Sequence, residues 1–250
     1  MTTPSATHMV LIPSYNSGSQ LASTVKAACE AWAPVCVIVD GSDDGSEKTL
    51  SAANTPGLTV LRLPYNQGKG AALLHGLRHA HARGYTHVLT MDADGQHPAA
   101  KIVEFLEMSK AHPEALVLGV PQFDASAPLL RVRGRRVSNW WANLETLWMG
   151  IHDSLFGFRV YPVEPLLEIM ERTRWMRRFD FDVEAAVRLT WRGLPIINLP
   201  APVRYLKPEE GGVSHFRYLR DNALLSWMHT RLLLGFLLRL PLLLARKLRR

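Results

Sequence analysis

The sequence predicts an α/β fold in which helices flank a mostly parallel sheet. In the first half of the 250-residue chain, short apolar runs alternate with helix-compatible segments, which is typical of βαβ units. Runs such as Val-Cys-Val-Ile-Val at residues 35–39 are apolar on both faces, as a sheet covered by helices requires. Polar, glycine-containing segments follow four of these runs, and ligands of such folds bind beyond the carboxyl ends of the strands.

Five strands and four helices are predicted before residue 121. The strands correspond to the apolar runs at residues 8–12, 35–39, 58–63, 87–91 and 116–120. The helices correspond to the segments between them, at residues 20–32, 46–53, 70–83 and 99–112. Because each helix separates two strands, the strands are expected to pair in parallel.

The alternation stops after residue 120. The elements predicted there are a loop at 122–128, a helix at 131–149, a short segment at 154–161, a helix at 183–191 and a strand at 195–199. A leucine-rich stretch ends the chain. No change in composition demands a second independent domain, so we expect one domain over residues 1–222 and a tail over 223–250.

The composition and charge restrict the classes of protein to which this chain can belong. A hydrophobic fraction of 47% excludes wholesale disorder, and two cysteines exclude a disulfide framework and a four-cysteine zinc site. The net charge of +7 is concentrated in basic clusters at residues 131–136, 172–178 and 246–250. Such clusters indicate a phosphate-bearing partner or an anionic membrane surface, although a soluble basic surface would show the same pattern.

Targeting signals are the next feature of the sequence. The N-terminus has no basic segment followed by an apolar run of signal-peptide length, so we expect a cytoplasmic protein. No stretch reaches 18 uninterrupted apolar residues, so no membrane span is predicted.

Asp92 and Asp94 are the most informative pair of polar residues. They follow the fourth apolar run, and on an extended backbone residues two apart point the same way. Their carboxylates could share one hard divalent cation such as Mg²⁺ or Mn²⁺. The alternative is turn or capping chemistry, because Asp-Gly is a common turn sequence.

The segment Gly68-Lys69-Gly70 begins a predicted helix. Backbone N–H groups and the lysine charge at a helix start favour an anion, although a solvated lysine would fit the same pattern. Two nucleotide motifs are excluded here. Lys69 precedes Gly70, unlike the lysine of a P-loop, and the third glycine of a dinucleotide fingerprint is missing.

Four motifs together resemble the family 2 glycosyltransferases, in particular the dolichol-phosphate mannosyltransferase and undecaprenyl-phosphate glycosyltransferase subgroup. They are Pro-Ser-Tyr-Asn at 13–16, Asp-Gly-Ser-Asp-Asp-Gly-Ser at 40–46, Asn-Gln-Gly-Lys-Gly at 66–70 and Asp-Ala-Asp-Gly-Gln-His-Pro at 92–98. Residues 153–159 are similar to the subgroup's Asp-x-x-Ser-Gly-Phe-Arg, with Phe156 where Ser is usual. Residues 179–184 resemble its next acidic block.

The resemblance implies a GT-A fold, a UDP- or GDP-linked sugar donor, Mg²⁺ or Mn²⁺, and inversion at the anomeric carbon. Asp92 and Asp94 would hold the metal and the diphosphate. The donor-binding residues that it implies are Pro13, Tyr15, Asn16, Asp40, Ser42, Asp44, Lys69, Asp92, Ala93 and Asp94.

The resemblance also implies residues on the acceptor side. Asp182 is the candidate general base, with Glu184 second, if the acceptor is a hydroxyl. A phosphate acceptor is already ionised and would be positioned by basic residues instead. The candidates for that role are Arg159, Arg204, His215 and Arg217, although each could equally be an ordinary surface residue.

The C-terminal residues 224–248 bear on the acceptor. They are leucine-rich and interrupted by His229, Arg231, Arg239 and Pro241, and a basic end follows. We expect a broken amphipathic helix that lies on the inner face of the membrane, together with the tryptophan-rich helix at 131–149. The alternative is a tail packed on the domain or on a dimer partner.

The expected activity is transfer of a sugar from a nucleotide donor to a lipid-linked acceptor, with no nucleic-acid partner. A lipid hydroxyl or a soluble acceptor is the alternative within the same class. Other classes are a sugar nucleotidyltransferase and a non-catalytic nucleotide-sugar binding module. A sugar nucleotidyltransferase would require a Gly-rich loop with arginine and lysine directly after strand one, which Pro-Ser-Tyr-Asn at 13–16 does not supply. A binding module would tolerate loss of Asp92, Asp94 or Asp182, and all three are present.

Overall fold

The computed structural model describes residues 4–50, 55–123, 129–203 and 217–248. Within these residues the chain forms one sheet of seven strands. The strands are β1 (His8–Ser14), β2 (Val35–Asp40), β3 (Leu58–Leu63), β4 (His87–Thr90), β5 (Leu116–Phe123), β6 (Arg159–Pro162) and β7 (Ile196–Val203). The helices are α1 (Gln20–Ala31), α2 (Lys69–Ala82), α3 (Ile102–Ala111), α4 (Leu129–Glu145), α5 (Val163–Glu171), α6 (Phe181–Arg192) and α7 (Tyr218–Lys247).

The sheet is mostly parallel, as predicted. Its strand order is β3-β2-β1-β4-β6-β5-β7. Strands β1 to β4 pair in parallel, as do β5 and β7, whereas β6 runs antiparallel to both of its neighbours. All five strands predicted in the first half are present, and β5 continues to Phe123 where a loop was expected.

Two hydrophobic layers cover the sheet, and the alternation along β1 shows how they form. Met9 and Leu11 face one layer, which contains residues of α2, α5, α6 and α7. Val10 and Ile12 face the other, which contains residues of α1 and α3. Successive side chains of a strand point to opposite faces, so residues 9–13 of this buried strand are apolar on both faces.

Several elements differ from the sequence prediction. Strand β6 and helix α5 were not predicted. The segment predicted as a helix over 46–53 forms a 3₁₀ turn at Ser46–Thr49, and residues 51–54 lie outside the described residues. The helix predicted over 131–149 ends at Glu145, because Leu147 and Trp148 adopt positive φ angles of 54° and 55°.

Helix α7 is continuous through Pro241, so the expected broken helix is wrong. It begins at Tyr218, before the predicted start of the tail at residue 223. Among the described residues, α7 is the helix that is long and apolar enough to cross a membrane. The sequence predicted no membrane span, because that prediction depended on uninterrupted apolar runs. One face of it is nevertheless buried on the domain, through Met228, Leu232, Phe236 and Leu243.

The other face of α7 is exposed and apolar. Leu238 is 84% exposed, and the further exposed apolar side chains of the helix are Leu219, Trp227, Leu234, Leu237, Leu242 and Leu244. Helix α4 packs beside α7 and exposes Val137 and Trp140. The exposed apolar side chains of α7 named above, from Leu219 to Leu244, are called the exposed apolar face.

Candidate active site

A cleft of about 670 Å³ opens at the carboxyl ends of β1, β2 and β4. Because these strands are parallel, the segments that follow them meet at one edge of the sheet. The cleft is lined by Pro13, Ser14, Tyr15, Ser17, Asp40, Asn66, Gly68, Lys69, Ala72, Asp92, Ala93, Asp94, Gln96, Arg178, Phe179, Arg217, Arg220 and Asp221. Seven of the ten predicted donor-binding residues are therefore on its walls, together with Arg217.

Asp40 fixes the start of α2 against the end of β2. Its side chain is buried and accepts hydrogen bonds from the backbone N–H groups of Gln67 and Gly68, both at 2.8 Å. The next residue, Gly41, has a φ of +65°, and a Cβ there would lie 2.3 Å from the carbonyl carbon of Tyr65. The Asp-Gly pair thus brings the backbone of residues 65–68 tightly against β2.

The other three predicted donor-binding residues, Asn16, Ser42 and Asp44, are not among the cleft-lining residues. They join the segments after β1 and β2, since Ser42 Oγ accepts from the Asn16 N–H at 3.1 Å and Asp44 Oδ2 accepts from the Gly18 N–H at 2.9 Å. Partial burial would raise the pKa of Asp44, but hydrogen bonds from Ser46 and Gly18 hold that pKa below its ordinary value. These residues shape the cleft from outside its walls.

Lys69 bridges two carboxylates at the base of the cleft. Its Nζ lies 2.8 Å from Asp92 Oδ1 and 2.8 Å from Asp182 Oδ2. Burial alone would lower the pKa of Lys69, but the two carboxylates outweigh it and raise that pKa. In the same way, burial would raise the pKa of Asp92, but the Lys69 ammonium holds it below its usual range.

Asp94, unlike Asp92, forms no ion pair with another described residue. Burial, and then the negative charge of Asp92, raise the pKa of Asp94. Its Oδ1 accepts the N–H of Gln96 at 3.0 Å, so a second oxygen remains available to a ligand in the cleft. A positive group placed beside Asp94 would relieve the repulsion between the two carboxylates.

His97 supports Asp92 from behind. Its Nδ1 accepts the backbone N–H of Asp92 at 2.9 Å, so the neutral ring carries its proton on Nε2, 3.6 Å from Asp92 Oδ2. Burial lowers the pKa of His97. Phe156, at the position where the similar subgroup motif has Ser, packs edge-on against this ring at a centroid distance of 4.6 Å.

Asp182 lies at the start of α6 and is held from its backbone. The fully buried Arg159 donates hydrogen bonds to the carbonyl oxygens of Asp182, Phe156 and Asp153. Because the side chain of Arg159 has no exposed surface, this geometry does not favour direct contact between Arg159 and an acceptor. Oδ1 of Asp182 is buried without a hydrogen-bond partner among the described residues.

Glu184 does not face the cleft, which corrects its placement as the second candidate base. Residues two positions apart in a helix are separated by about 200° around its axis, so Glu184 points away from Asp182. Its fully buried carboxylate pairs with Arg231 of α7 and Arg188 of α6, at 3.0 and 2.7 Å. Both oxygens are engaged in ion pairs, and neither is available to substrate.

Of the predicted acceptor-side residues, the structure places Arg217 on the cleft. It stands at the N-terminus of α7, where its backbone N–H donates to Asp221 Oδ2 at 2.6 Å. Arg178 and Arg220, which sequence reasoning did not single out, line the cleft with it. Arg204 and His215 lie outside the described residues.

Comparison with known proteins identifies the family. The sequence profile described as "Glycosyl transferase family 2" matches residues 9–170, more than half of the chain. The chain belongs to glycosyl transferase family 2. The prediction from its four motifs is thereby confirmed.

This family 2 glycosyltransferase has curated relatives of similar length. It is 29% identical over 218 residues to the polyprenol monophosphomannose synthase of Mycolicibacterium smegmatis, covering 79% of this chain and 77% of that protein. It is 27% identical over 199 residues to the undecaprenyl-phosphate mannosyltransferase of Micrococcus luteus, covering 77% and 81%. The subgroup predicted from the sequence is thus the one to which these relatives belong.

A solved structure confirms the predicted GT-A fold. The glucosyl-3-phosphoglycerate synthase of Mycobacterium tuberculosis, in complex with Mn²⁺, UDP and glucosyl-3-phosphoglycerate, superposes with a TM-score of 0.65 at 18% identity. The match covers 92% of this chain and 80% of that one. At this identity the likeness concerns the fold alone.

Gly157 is a site residue of this glycosyltransferase that sequence reasoning missed. A Cβ at this position would lie 2.7 Å from Lys69 Nζ, 3.3 Å from Asp92 Oδ2 and 3.4 Å from Asp182 Oδ1. Any side chain would therefore displace the lysine from its two carboxylates. The signal was present in the 153–159 motif, which has a glycine at this position.

The donor set of the cleft fits a divalent metal. Asp92 and Asp94 offer carboxylate oxygens, the ligands that Mg²⁺ and Mn²⁺ prefer, and both side chains line the cleft. Within the described part of the chain no group of three or more His, Cys, Asp or Glu side chains is placed to hold a metal. A metal here would depend on diphosphate oxygens and water for its remaining ligands.

Proposed function

We propose that this chain is an inverting glycosyltransferase that moves a sugar from a nucleotide-sugar donor to a polyprenyl-phosphate lipid at the cytoplasmic face of a membrane. One observation carries the proposal. A single cleft reaches from the Asp92–Lys69–Asp182 cluster to the start of α7, the helix that bears the exposed apolar face. The names of the relatives, which act on polyprenol and undecaprenyl phosphates, agree with this arrangement.

The residues that would bind the donor lie at the carboxyl ends of the parallel strands. Pro13, Tyr15 and Ala93 would border the nucleoside, and Asp92 and Asp94 would hold Mg²⁺ or Mn²⁺ with the diphosphate. Such a metal supplies charge neutralisation for the leaving nucleoside diphosphate. Lys69 keeps Asp92 ionised and in place, and Asp40 holds the backbone that presents Lys69.

The acceptor half is basic. Arg178, Arg217 and Arg220 line the cleft, and three guanidinium groups suit a lipid phosphate. Proton transfer to Oδ2 of Asp182 would break its ion pair with Lys69, and a phosphate oxygen needs no such transfer. These features favour a phosphate acceptor. A lipid hydroxyl is the second candidate, with Oδ1 of Asp182, which has no hydrogen-bond partner among the described residues, as the base.

The experiment is a matrix of purified full-length protein, UDP- and GDP-linked sugars, and two acceptors of equal chain length, polyprenyl phosphate and polyprenol. We expect transfer to the phosphate, with little to the alcohol, in the presence of Mg²⁺ or Mn²⁺. Asp182→Asn should then lower turnover by about tenfold or less, because an ionised phosphate does not require a general base. Loss of a required general base would typically cost about 10²–10⁴-fold. Transfer to polyprenol alone, with collapse of turnover in Asp182→Asn, would overturn the phosphate assignment.

The membrane contact is tested on the exposed apolar face. Leu237→Glu combined with Leu238→Glu places two charges where the side chains are 54% and 84% exposed, so folding should tolerate the change. We expect co-sedimentation with anionic vesicles to fall at least tenfold, because apolar burial and attraction of the basic end to headgroups act together.

The matched control for this test is Val103→Glu, an exposed apolar position on α3, across the sheet from α7. It should sediment like the unmodified protein. Equal sedimentation of the α7 variant and the control would show that α7 is not the membrane contact.

A further inference from the structure

Arg231 connects the membrane-facing helix to the wall of the cleft. We propose that Arg231 is a positioning residue, which fixes the segment carrying Arg178 and Asp182 to α7 and so sets the turnover of the glycosyltransferase. The proposal rests on the proposed function for its kinetic consequence, and on contacts within the chain for its structural one. Arg231 lies outside the family motifs and outside the site residues predicted from the sequence.

The contact is a buried bidentate ion pair. Arg231 Nη1 and Nη2 donate to Glu184 Oε1 and Oε2 at 3.1 and 3.0 Å, and Arg231 is 10% exposed. Its guanidinium lies 4.2 Å from the centre of the Trp175 ring and 3.8 Å from Asp180 Oδ2. One side chain of α7 therefore touches three residues of one segment, which we call the cleft wall and define as residues 175–184.

The cleft wall is folded around a second carboxylate, Asp180. Its two oxygens accept the backbone N–H groups of Met176 and Arg178, at 3.1 and 2.9 Å. Met176 has a φ of +63°, an uncommon conformation for a residue other than glycine. The wall thus holds an unfavourable backbone shape that its surroundings must maintain.

On its other side the wall is pressed against the start of α2. The N–H of Ala71 donates to the carbonyl oxygen of Arg177 at 3.0 Å. A Cβ on Gly68 would lie 2.4 Å from that oxygen, and one on Gly70 would lie 2.1 Å from the carbonyl oxygen of Met176. Lys69 stands between these two glycines, so a displacement of the wall would move the lysine that holds Asp92 and Asp182.

Geometry, more than stability, explains why an arginine stands here. A buried ion pair is weak evidence for a gain in stability, because desolvation offsets the attraction. A bidentate arginine does fix the direction of its partner, and a lysine cannot reproduce that fork. Arg231 therefore determines how α6, and Asp182 in its first turn, are oriented relative to α7.

The test compares Arg231→Lys with Arg239→Lys in the full-length protein. Arg239 is the matched control, because it lies on the same helix and over a tryptophan ring, Trp191 at 4.9 Å, but touches no residue of the wall. Three quantities are measured: kcat with the lipid acceptor, the dissociation constant of the donor, and amide hydrogen exchange at Met176 and Arg178.

We expect Arg231→Lys to lower kcat at least tenfold, to change the donor dissociation constant less than about threefold, and to speed exchange of the wall amides at least tenfold. Arg239→Lys should leave all three within about twofold. Wall exchange that matches the control would overturn the proposal, and so would a kcat that matches it. The exchange measurement needs no acceptor, so it decides even if the proposed acceptor is wrong.

A second variant separates positioning from folding. In Arg231→Met combined with Glu184→Leu and Arg188→Met, apolar side chains replace all three members of the ion-pair cluster, a change that is often neutral for stability. We expect an unaltered melting temperature with kcat still at least tenfold lower, because apolar contacts lack the direction of the fork. An unaltered melting temperature with unaltered kcat would also refute the role of Arg231.

Discussion

Replacing Asp94 by Asn should lower kcat for sugar transfer by about a hundredfold or more, which corresponds to about 3 kcal/mol of transition-state stabilisation. Asp94 lies on the cleft, and burial together with Asp92 raises its pKa. Its charge is therefore held close to a second negative charge, an arrangement that favours a bound cation. An amide keeps the shape of the side chain but removes that charge.

Two measurements check this result. Excess chelator should abolish transfer by the unmodified protein, and titration with Mn²⁺ should show weaker binding to Asp94→Asn without any substrate turnover. Glu107→Gln makes the same carboxylate-to-amide change on the surface of α3 and should leave kcat within about twofold. Full activity in excess chelator would refute the metal assignment for Asp92 and Asp94.

Replacing Lys69 by Met should abolish detectable transfer and weaken donor binding. The ammonium is paired with Asp92 and Asp182 at 2.8 Å each, so both carboxylates, Asp92 on the cleft and Asp182 buried behind Lys69, would lose their counter-charge. The pKa of Asp92, which Lys69 now depresses, should then rise. Loss of a buried ion-pair partner leaves an uncompensated charge, typically at a cost of about 3–5 kcal/mol.

The matched control is Lys101→Met, at a lysine that pairs with Glu104 on the surface. Kinetics and donor binding are measured well below the melting temperature of each variant, so that a loss of stability does not count as a loss of catalysis. If Lys69→Met were to turn over within tenfold of the control, the Asp92–Lys69–Asp182 cluster would lie outside the reaction.

The edge of the sheet that carries the cleft was predictable from local pattern. Runs such as residues 35–39 are apolar throughout, and the polar residue that ends each run marks the carboxyl end of a parallel strand. Asp40, Lys69 and Asp92 therefore converge as expected. Strand β6 was missed because four residues carry too little periodicity to distinguish a strand from a loop.

The roles of single side chains were less predictable. A motif places Asp182 and Glu184 two residues apart, but helical phase sends one toward Lys69 and the other toward Arg231. Arg159 matches its motif, yet its burial follows from contacts with the distant Asp182. The role of Arg231 depends on a partner 47 residues earlier in the chain, which a single sequence does not reveal.

The bridge made by Lys69 also has a consequence for how the protein is assembled. Lys69 and Asp182 are 113 residues apart, and Thr90 donates to the carbonyl oxygen of Gly157 across 67 residues. Closing such long loops costs entropy before any contact offsets it, so pairings of this kind form slowly and depend on the rest of the chain. Before residues 159–182 are synthesised, β4 lacks its neighbour β6 and Lys69 lacks Asp182. The bridge between Lys69 and Asp182 therefore forms only when α6 docks against α2.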